Sequence, residues 1–125
     1  MKKIIHTTQA PAAIGPYSQG TVYGDTLYVS GQLPIDPATG QLVTGDIKAQ
    51  TTQVLDNLSA IVEAAGTTLN QVLKATILLT DMAYFADVNQ VYASYFPENP
   101  PARICYQVSA LPLGAKVEID AIVGV

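Results

Sequence analysis

The chain has 125 residues, of which 49% are hydrophobic, and this size fits one compact domain spanning residues 1–125. Six Lys and Arg residues against ten Asp and Glu residues give a net charge of −4, the wrong sign for attracting a phosphate backbone, so no nucleic-acid partner is expected. No stretch approaches the roughly 18 apolar residues of a membrane span, and the N-terminus turns polar too early for a targeting segment, so we expect a cytoplasmic protein without membrane contact.

In chain order, a short first strand is predicted at residues 4–7, followed by an irregular segment at 9–16 that two prolines punctuate. Two further strands, at 17–23 and 27–33, flank a Gly-Asp-Thr sequence that is typical of a hairpin turn. Pro34 ends the second of these strands, and residues 36–40 have the composition of a turn.

The first helix is predicted from Asp46 to Ala65, because apolar residues recur there at three- and four-residue spacing and Gly66 follows as a C-terminal cap. A nearly continuous apolar run at 72–79 predicts a strand. A second helical period covers residues 87–96 and ends before Pro97. The last two strands are predicted at 102–110 and 116–123.

The predicted order is therefore β-β-β-α-β-α-β-β, and two helices can cover only one face of such a sheet. The other face is not generously polar, because Leu78 and Ile122 also lie among its alternating residues. A symmetric second copy of the chain is the economical cover for that face.

Arg103 is the only arginine, and it lies within an apolar strand. A guanidinium is a planar and permanently charged group that grips a carboxylate or phosphate through two parallel hydrogen bonds. Arg103 held on a rigid strand therefore indicates an anion-binding site. The alternative is an arginine that pairs with an Asp or Glu to stabilise a subunit interface.

Glu118 is the second candidate, because a carboxylate on a mostly apolar strand is costly to desolvate unless it is paired, hydrated or functional. If the last two strands pair as a hairpin, Arg103 and Glu118 come within reach of a common cleft. A plain structural bridge between Arg103 and Glu118 is the competing interpretation.

Other side chains offer little chemistry. One cysteine, Cys105, and one histidine, His6, exclude an internal disulfide and a metal site of thiolates or paired histidines, and no metal or cofactor is predicted. Cys105 has apolar neighbours and no local partner, which is typical of a packing residue. The Ser30-Gly31 pair is weak evidence for a ligand contact, and Tyr17 is of interest because Gly15-Pro16 restrains it.

Four segments in this order closely resemble the RidA/YjgF family of imine and enamine deaminases, namely APAAIGPYSQG at 10–20, LYVSGQLPIDPATGQLV at 27–43, GDIKAQTTQVLDNLSAIVEAAG at 45–66 and PPARICYQVSALPLGAKVEIDAI at 100–122. The resemblance implies a chorismate-mutase-like α+β fold, with a mixed sheet, two helices on one face, and assembly as a homotrimer whose clefts lie between subunits.

The resemblance also implies roles for individual residues. Arg103 would bind the substrate carboxylate, and Glu118 would orient and activate a water molecule. The substrate-binding set would further include Tyr17, Ser30, Gly31, Asn89 and Cys105. Ile104 departs from the family, which often has Ser there, and it is expected to point to the opposite strand face.

The implied reaction is the hydrolysis of 2-imino acids, released by pyridoxal-dependent dehydratases, to 2-oxo acids and ammonia without a metal or cofactor. The main alternative is a non-catalytic sensor that binds 2-oxo acids or small amino acids through the same arginine. RNA cleavage and a holdase-like chaperone role are attached to some relatives, and the acidic composition counts against RNA cleavage.

Overall fold

The computed structural model, which describes residues 1–125, is built on a six-stranded mixed sheet with two α-helices on one face. The strands of this sheet are β1 (Lys3–Ile5), β2 (Gly20–Tyr23), β3 (Thr26–Gln32), β6 (Val72–Leu79), β7 (Ala102–Gln107) and β8 (Val117–Gly124). The helices are α1 (Ile47–Ala64) and α2 (Phe85–Tyr95), and a small separate pair is formed by β4 (Ile35–Asp36) and β5 (Gln41–Leu42).

The sheet has the strand order β1-β2-β3-β8-β6-β7, in which only β6 and β7 are parallel. Strands β6 and β7 are joined through α2, a crossover connection that makes parallel neighbours and leaves β7 at the sheet edge. Strand β6 therefore separates β7 from β8. The last two strands do not pair as a hairpin, which was the condition for a common Arg103–Glu118 cleft, because β8 pairs with β3 and β6 instead.

The hydrophobic core lies between the helices and the sheet. Leu55 and Leu58 of α1 and Ile77 and Ile119 of the central strands are fully buried there. Burial of each such side chain contributes about 1.5–3 kcal/mol to folding. The side chain of Asp46 caps α1 by accepting a 2.9 Å hydrogen bond from the Ala49 amide.

The opposite face of the sheet has no helix, and we call it the open face. Tyr28 and Tyr106 are each 50% exposed there and Ile104 is 46% exposed, in strands whose other face is in the core. The prediction that both helices lie on one face is confirmed, as is the prediction that Ile104 points away from the face of Arg103. Of the two α-helices, neither combines the length and the hydropathy of a bilayer-spanning segment.

The predicted bounds differ from the observed ones at several ends. Strand β2 begins at Gly20 rather than at Tyr17, because the Tyr17 amide donates to Gly15 in a tight turn. Helix α2 begins at Phe85 rather than at residue 87, directly after a 3-10 turn at Met82–Tyr84 that Asp81 caps. Strand β7 ends at Gln107 because its partner strand β6 ends at the paired residue Leu79.

Candidate functional site

The open face contains a cavity of about 280 Å³ at the start of β8, and Glu118 is its only ionisable carboxylate. The cavity is lined by Ile14, Tyr17, Ser30, Gly31, Leu33, Pro112 and Glu118. Four of the predicted site residues, Tyr17, Ser30, Gly31 and Glu118, are thus brought together. The apolar wall of Ile14, Leu33 and Pro112 was not predicted from the sequence.

A β-bulge in β3 shapes the floor of this cavity. Val29 pairs with Ala121 and Gln32 with Ile119, so that two residues of β3 oppose one residue of β8. The two residues are Ser30 and Gly31. A Cβ atom built on Gly31 would lie 2.8 Å from Cδ of Glu118 and would overlap its Oε2 atom. The absence of a side chain at position 31 therefore makes the space that the Glu118 carboxylate occupies.

Hydrogen bonds fix the other polar groups of the cavity. The Ser30 hydroxyl donates to the Ser18 carbonyl at 2.6 Å. The Tyr17 hydroxyl accepts from the Ile14 amide at 3.2 Å, and this side chain is 45% exposed. The tyrosine is held against its own loop while one side remains open to a ligand.

Two buried amide side chains support the cavity, and sequence reasoning missed both. The Gln19 side chain, only 3% exposed, accepts from the Thr7 amide at 2.8 Å and donates to the carbonyls of Thr7 and Pro11 at 3.0 and 2.8 Å. Asn57 donates from α1 to the carbonyls of Leu33 and Ile35 at 3.1 and 2.9 Å. For Gln19 the available signal was the irregular segment at 9–16, whose backbone groups need partners outside regular structure.

The environment of Glu118 changes its acidity. Burial raises the pKa of the Glu118 carboxyl above its ordinary value, and the charge of Asp120 on the same strand raises it further. The sequence left the direction open because a neighbouring Arg103 would lower this pKa. Within one chain Arg103 makes no such contribution.

Arg103 lies on the helix side of the sheet. Its Nη1 atom donates a 2.7 Å hydrogen bond to Oδ1 of Asn89, and its guanidinium carbon lies 5.0 Å from the ring centre of Tyr92 and 5.6 Å from that of Phe85. A second cavity of about 430 Å³ adjoins it, lined by Asn89, Tyr92, Ala93, Phe96, Pro100, Pro101 and Arg103. No carboxylate of the chain pairs with this arginine.

Arg103 and Glu118 are therefore far apart within one chain. Across β6, Arg103 pairs with Ala75 while Glu118 pairs with Leu78, so the two lie two strand spacings, about 10 Å, apart across the sheet. They also point to opposite faces, because Ala75 is in the core and Leu78 is not. The expected common cleft within one chain is wrong, and so is a structural Arg103–Glu118 bridge within one chain.

Cys105 is half-buried on the same strand face as Arg103 and packs against the core. Burial raises the pKa of its thiol, and the charge of Arg103 opposes that change. A thiol with a raised pKa is a poor nucleophile at neutral pH. This position fits the packing role and places Cys105 away from the Glu118 cavity.

Comparison with known proteins relates this chain to a family. The family model described as Endoribonuclease L-PSP matches residues 7–125. The 2-iminobutanoate/2-iminopropanoate deaminase of Mus musculus is 52% identical over 98% of this chain and 90% of its own length.

Solved structures of other proteins have closely similar folds to this chain. RidA from a Psychrobacter species has a TM-score of 0.95 and 48% identity, covering 98% of this chain and 99% of its own. Escherichia coli TdcF with bound serine has a TM-score of 0.95 and 42% identity, covering 98% of both chains. The chain therefore belongs to the Endoribonuclease L-PSP family, the RidA/YjgF family that its motifs resemble.

Proposed function

We propose that the chain is a cytoplasmic, cofactor-independent enzyme that hydrolyses 2-imino acids to 2-oxo acids and ammonia at a site shared between copies of the chain. One observation carries this proposal. A guanidinium without an acidic partner and a carboxylate with a raised pKa lie on two separate surfaces of the chain, each beside its own cavity. The mouse relative, 52% identical, is named a deaminase of such substrates.

A ring of subunits is the assembly that we propose for this site. Contact between the Arg103 surface of one copy and the Glu118 surface of another can form across a two-fold interface or across a heterologous one, and a heterologous interface closes into a ring when the rotation between copies allows it. Strand β7 with Arg103 is at the sheet edge, and the Glu118 cavity is on the open face. A homotrimer would bring the edge of one copy against the open face of the next and would cover Tyr28, Ile104 and Tyr106.

In the proposed reaction, Arg103 of one copy binds the substrate carboxylate through two parallel hydrogen bonds. Glu118 of the next copy accepts a proton from water while the oxygen bonds to the carbon of the protonated imine. Glu118 returns this proton to the nitrogen of the resulting carbinolamine. The C–N bond then breaks and ammonia leaves, while the carbinolamine hydroxyl gives its proton to the Glu118 carboxylate and becomes the carbonyl. Positioning of the water against the C=N bond supplies the larger part of the acceleration.

The raised pKa suits Glu118 to this work. A carboxylate is a stronger base when its pKa lies closer to the working pH, and a general base is most effective there. Approach of Arg103 from a neighbouring copy would oppose the rise and keep the carboxylate ionised. The same group can then accept and return the proton.

The test uses a threonine dehydratase and threonine as the source of 2-iminobutanoate. We expect the purified protein to shorten the lifetime of the imine and to speed the appearance of 2-oxobutanoate. Glu118→Gln, which keeps the shape and removes the base, should leave the imine to decay at its rate in buffer. An unchanged imine lifetime with wild-type protein would refute the deaminase proposal.

A second candidate function is sensing of a small amino acid or 2-oxo acid. The relative TdcF was solved with bound serine, which favours ligands of this size for the fold. Saturable binding of 2-oxobutanoate without any acceleration of imine loss would favour the sensor. The imine lifetime and the binding of 2-oxobutanoate, both measured on the purified protein, therefore separate the two functions.

The family description names an endoribonuclease. We do not extend RNA cleavage to this chain, because a net charge of −4 opposes binding of a phosphate backbone. Incubation with a single-stranded RNA should leave it intact. Cleavage that is lost in Arg103→Met and Glu118→Gln would overturn this view.

A further inference from the structure

Three residues of α2 face Arg103 as a single stripe. Phe85, Asn89 and Tyr92 are spaced by four and three residues, which places them on one side of a helix. Their two rings and one amide make the contacts to the guanidinium described above. We call this set the α2 stripe.

An arginine side chain needs such support to act as a fixed anion binder. Its long chain loses considerable rotamer freedom when it is held in one geometry. In a free surface arginine this loss of entropy would occur on ligand binding and would weaken the affinity. Arg103 on the edge strand β7 has no carboxylate of its own chain to hold it. The α2 stripe can hold it before the ligand binds.

We infer that Phe85, Asn89 and Tyr92 are positioning residues that orient the Arg103 guanidinium toward its ligand. This inference rests on the proposed function only in taking a carboxylate as the ligand of Arg103. Asn89 acts in it through its hydrogen bond to the arginine.

The chemistry of each residue fits orientation without neutralisation. The Asn89 amide oxygen accepts one N–H of the guanidinium and leaves the positive charge and the remaining N–H donors free for a carboxylate. An Asp at this position would form an ion pair and compete with the ligand. Aromatic faces attract a guanidinium in the same neutral way.

Tyr92 contacts Arg103 through its ring and not through its hydroxyl. Its side chain is buried, and its hydroxyl has no hydrogen-bond partner. The ring, by contrast, is the closer of the two aromatic contacts to Arg103, at 5.0 Å. A phenylalanine at this position should therefore support Arg103 as well as the tyrosine does.

The first test reads Arg103 directly. Because Arg103 is the only arginine of the chain, its Nε–Hε group gives a single assignable NMR resonance. We expect an order parameter above about 0.6 in the ligand-free protein, a fall below this value in Phe85→Leu and Tyr92→Leu, and the wild-type value in Tyr92→Phe. Tyr95→Leu, on the same helix but with its hydroxyl bonded to Asp56, is the matched control and should leave the resonance unchanged.

The second test reads ligand affinity by calorimetry with 2-oxobutanoate. Phe85→Leu and Tyr92→Leu should weaken its Kd about tenfold, and neither should weaken it further in an Arg103→Met background. Asn89→Asp should weaken the Kd by at least about tenfold while raising the order parameter of Arg103. This opposite movement separates positioning from a general loss of structure.

Two outcomes would overturn the inference. One is a mobile Arg103 in the wild-type protein, and the other is an unchanged order parameter in folded Phe85→Leu and Tyr92→Leu variants. Neither outcome depends on imine hydrolysis. A protein that fails the imine assay but shows a rigid Arg103 would refute the proposed function and leave the role of the α2 stripe standing.

Discussion

The carboxylate of Glu118 lies directly over the backbone of Gly31, in space that any side chain at position 31 would fill. The β-bulge in β3 brings the two residues together from adjacent strands. The position of the proposed base therefore depends on a glycine in a different strand, and this dependence can be tested by substitution.

Gly31→Ala should displace Glu118 from its cavity without unfolding the chain, because Gly31 does not require a left-handed backbone. We expect kcat for imine hydrolysis to fall about a hundredfold, since displacement of a catalytic group by about 1 Å costs this much. Gly124→Ala is the control, because its Cβ would meet the nearest atoms at 3.7 Å. Equal kcat values for the two variants would show that the position of Glu118 does not depend on the absence of a side chain at Gly31.

The pH dependence of kcat/KM should report the ionisation of the Glu118 carboxyl. The carboxylate must be ionised to accept a proton, so the rate falls as the pH drops through its raised pKa. Asp120→Asn removes a charge that raises this pKa, and the acid limb should move to lower pH. Asp25→Asn, the same charge change in the β2–β3 turn, should leave the limb in place. If Asp120→Asn does not shift the acid limb of the kcat/KM profile, a group other than Glu118 is responsible for that limb.

The buried Gln19 amide should matter for stability. Gln19→Met removes the hydrogen bonds that hold Thr7 and Pro11, and each contributes about 1 kcal/mol net. We expect the free energy of unfolding in urea to fall by about 2–4 kcal/mol. Gln41→Met, at an exposed position of β5, should change it by less than about 0.5 kcal/mol. A similar loss in both variants would contradict a specific role for Gln19.

Arg103→Lys tests the fork geometry of the anion site. Lysine keeps the charge but cannot make two parallel hydrogen bonds to a carboxylate or keep the contact with Asn89 in the same plane. We expect kcat/KM to fall at least about a hundredfold. Retention of most activity would show that a point charge is sufficient at this position.

The sequence was enough to predict most elements and the faces of single strands. Alternation placed Arg103 with Cys105 and Glu118 with Asp120 on shared faces, and helical spacing placed α1 within a residue of its observed ends. These patterns are local, with periods of 2 and 3.6 residues, and a sequence displays them directly.

Strand pairing could not be predicted in the same way. The crossover through α2 makes β6 and β7 parallel neighbours, and β8 pairs with the other edge of β6. No local pattern around Arg103 or Glu118 indicates that pairing. The bulge at Ser30 and the hydrogen bonds of the Gln19 and Asn57 side chains likewise depend on partners that are distant in sequence. The short β4–β5 pair was read only as a turn because each strand has two residues.

The central claim is that Arg103 of one copy works with Glu118 of another, and subunit mixing tests it most directly. Arg103→Met and Glu118→Gln proteins should each be inactive. In a trimeric ring formed from equal amounts, about three quarters of the rings are mixed, and each mixed ring has one of three sites with both native residues. Refolding the two variants together should therefore restore about one quarter of wild-type activity. No activity in rings that native mass spectrometry shows to be mixed would contradict a site shared between copies.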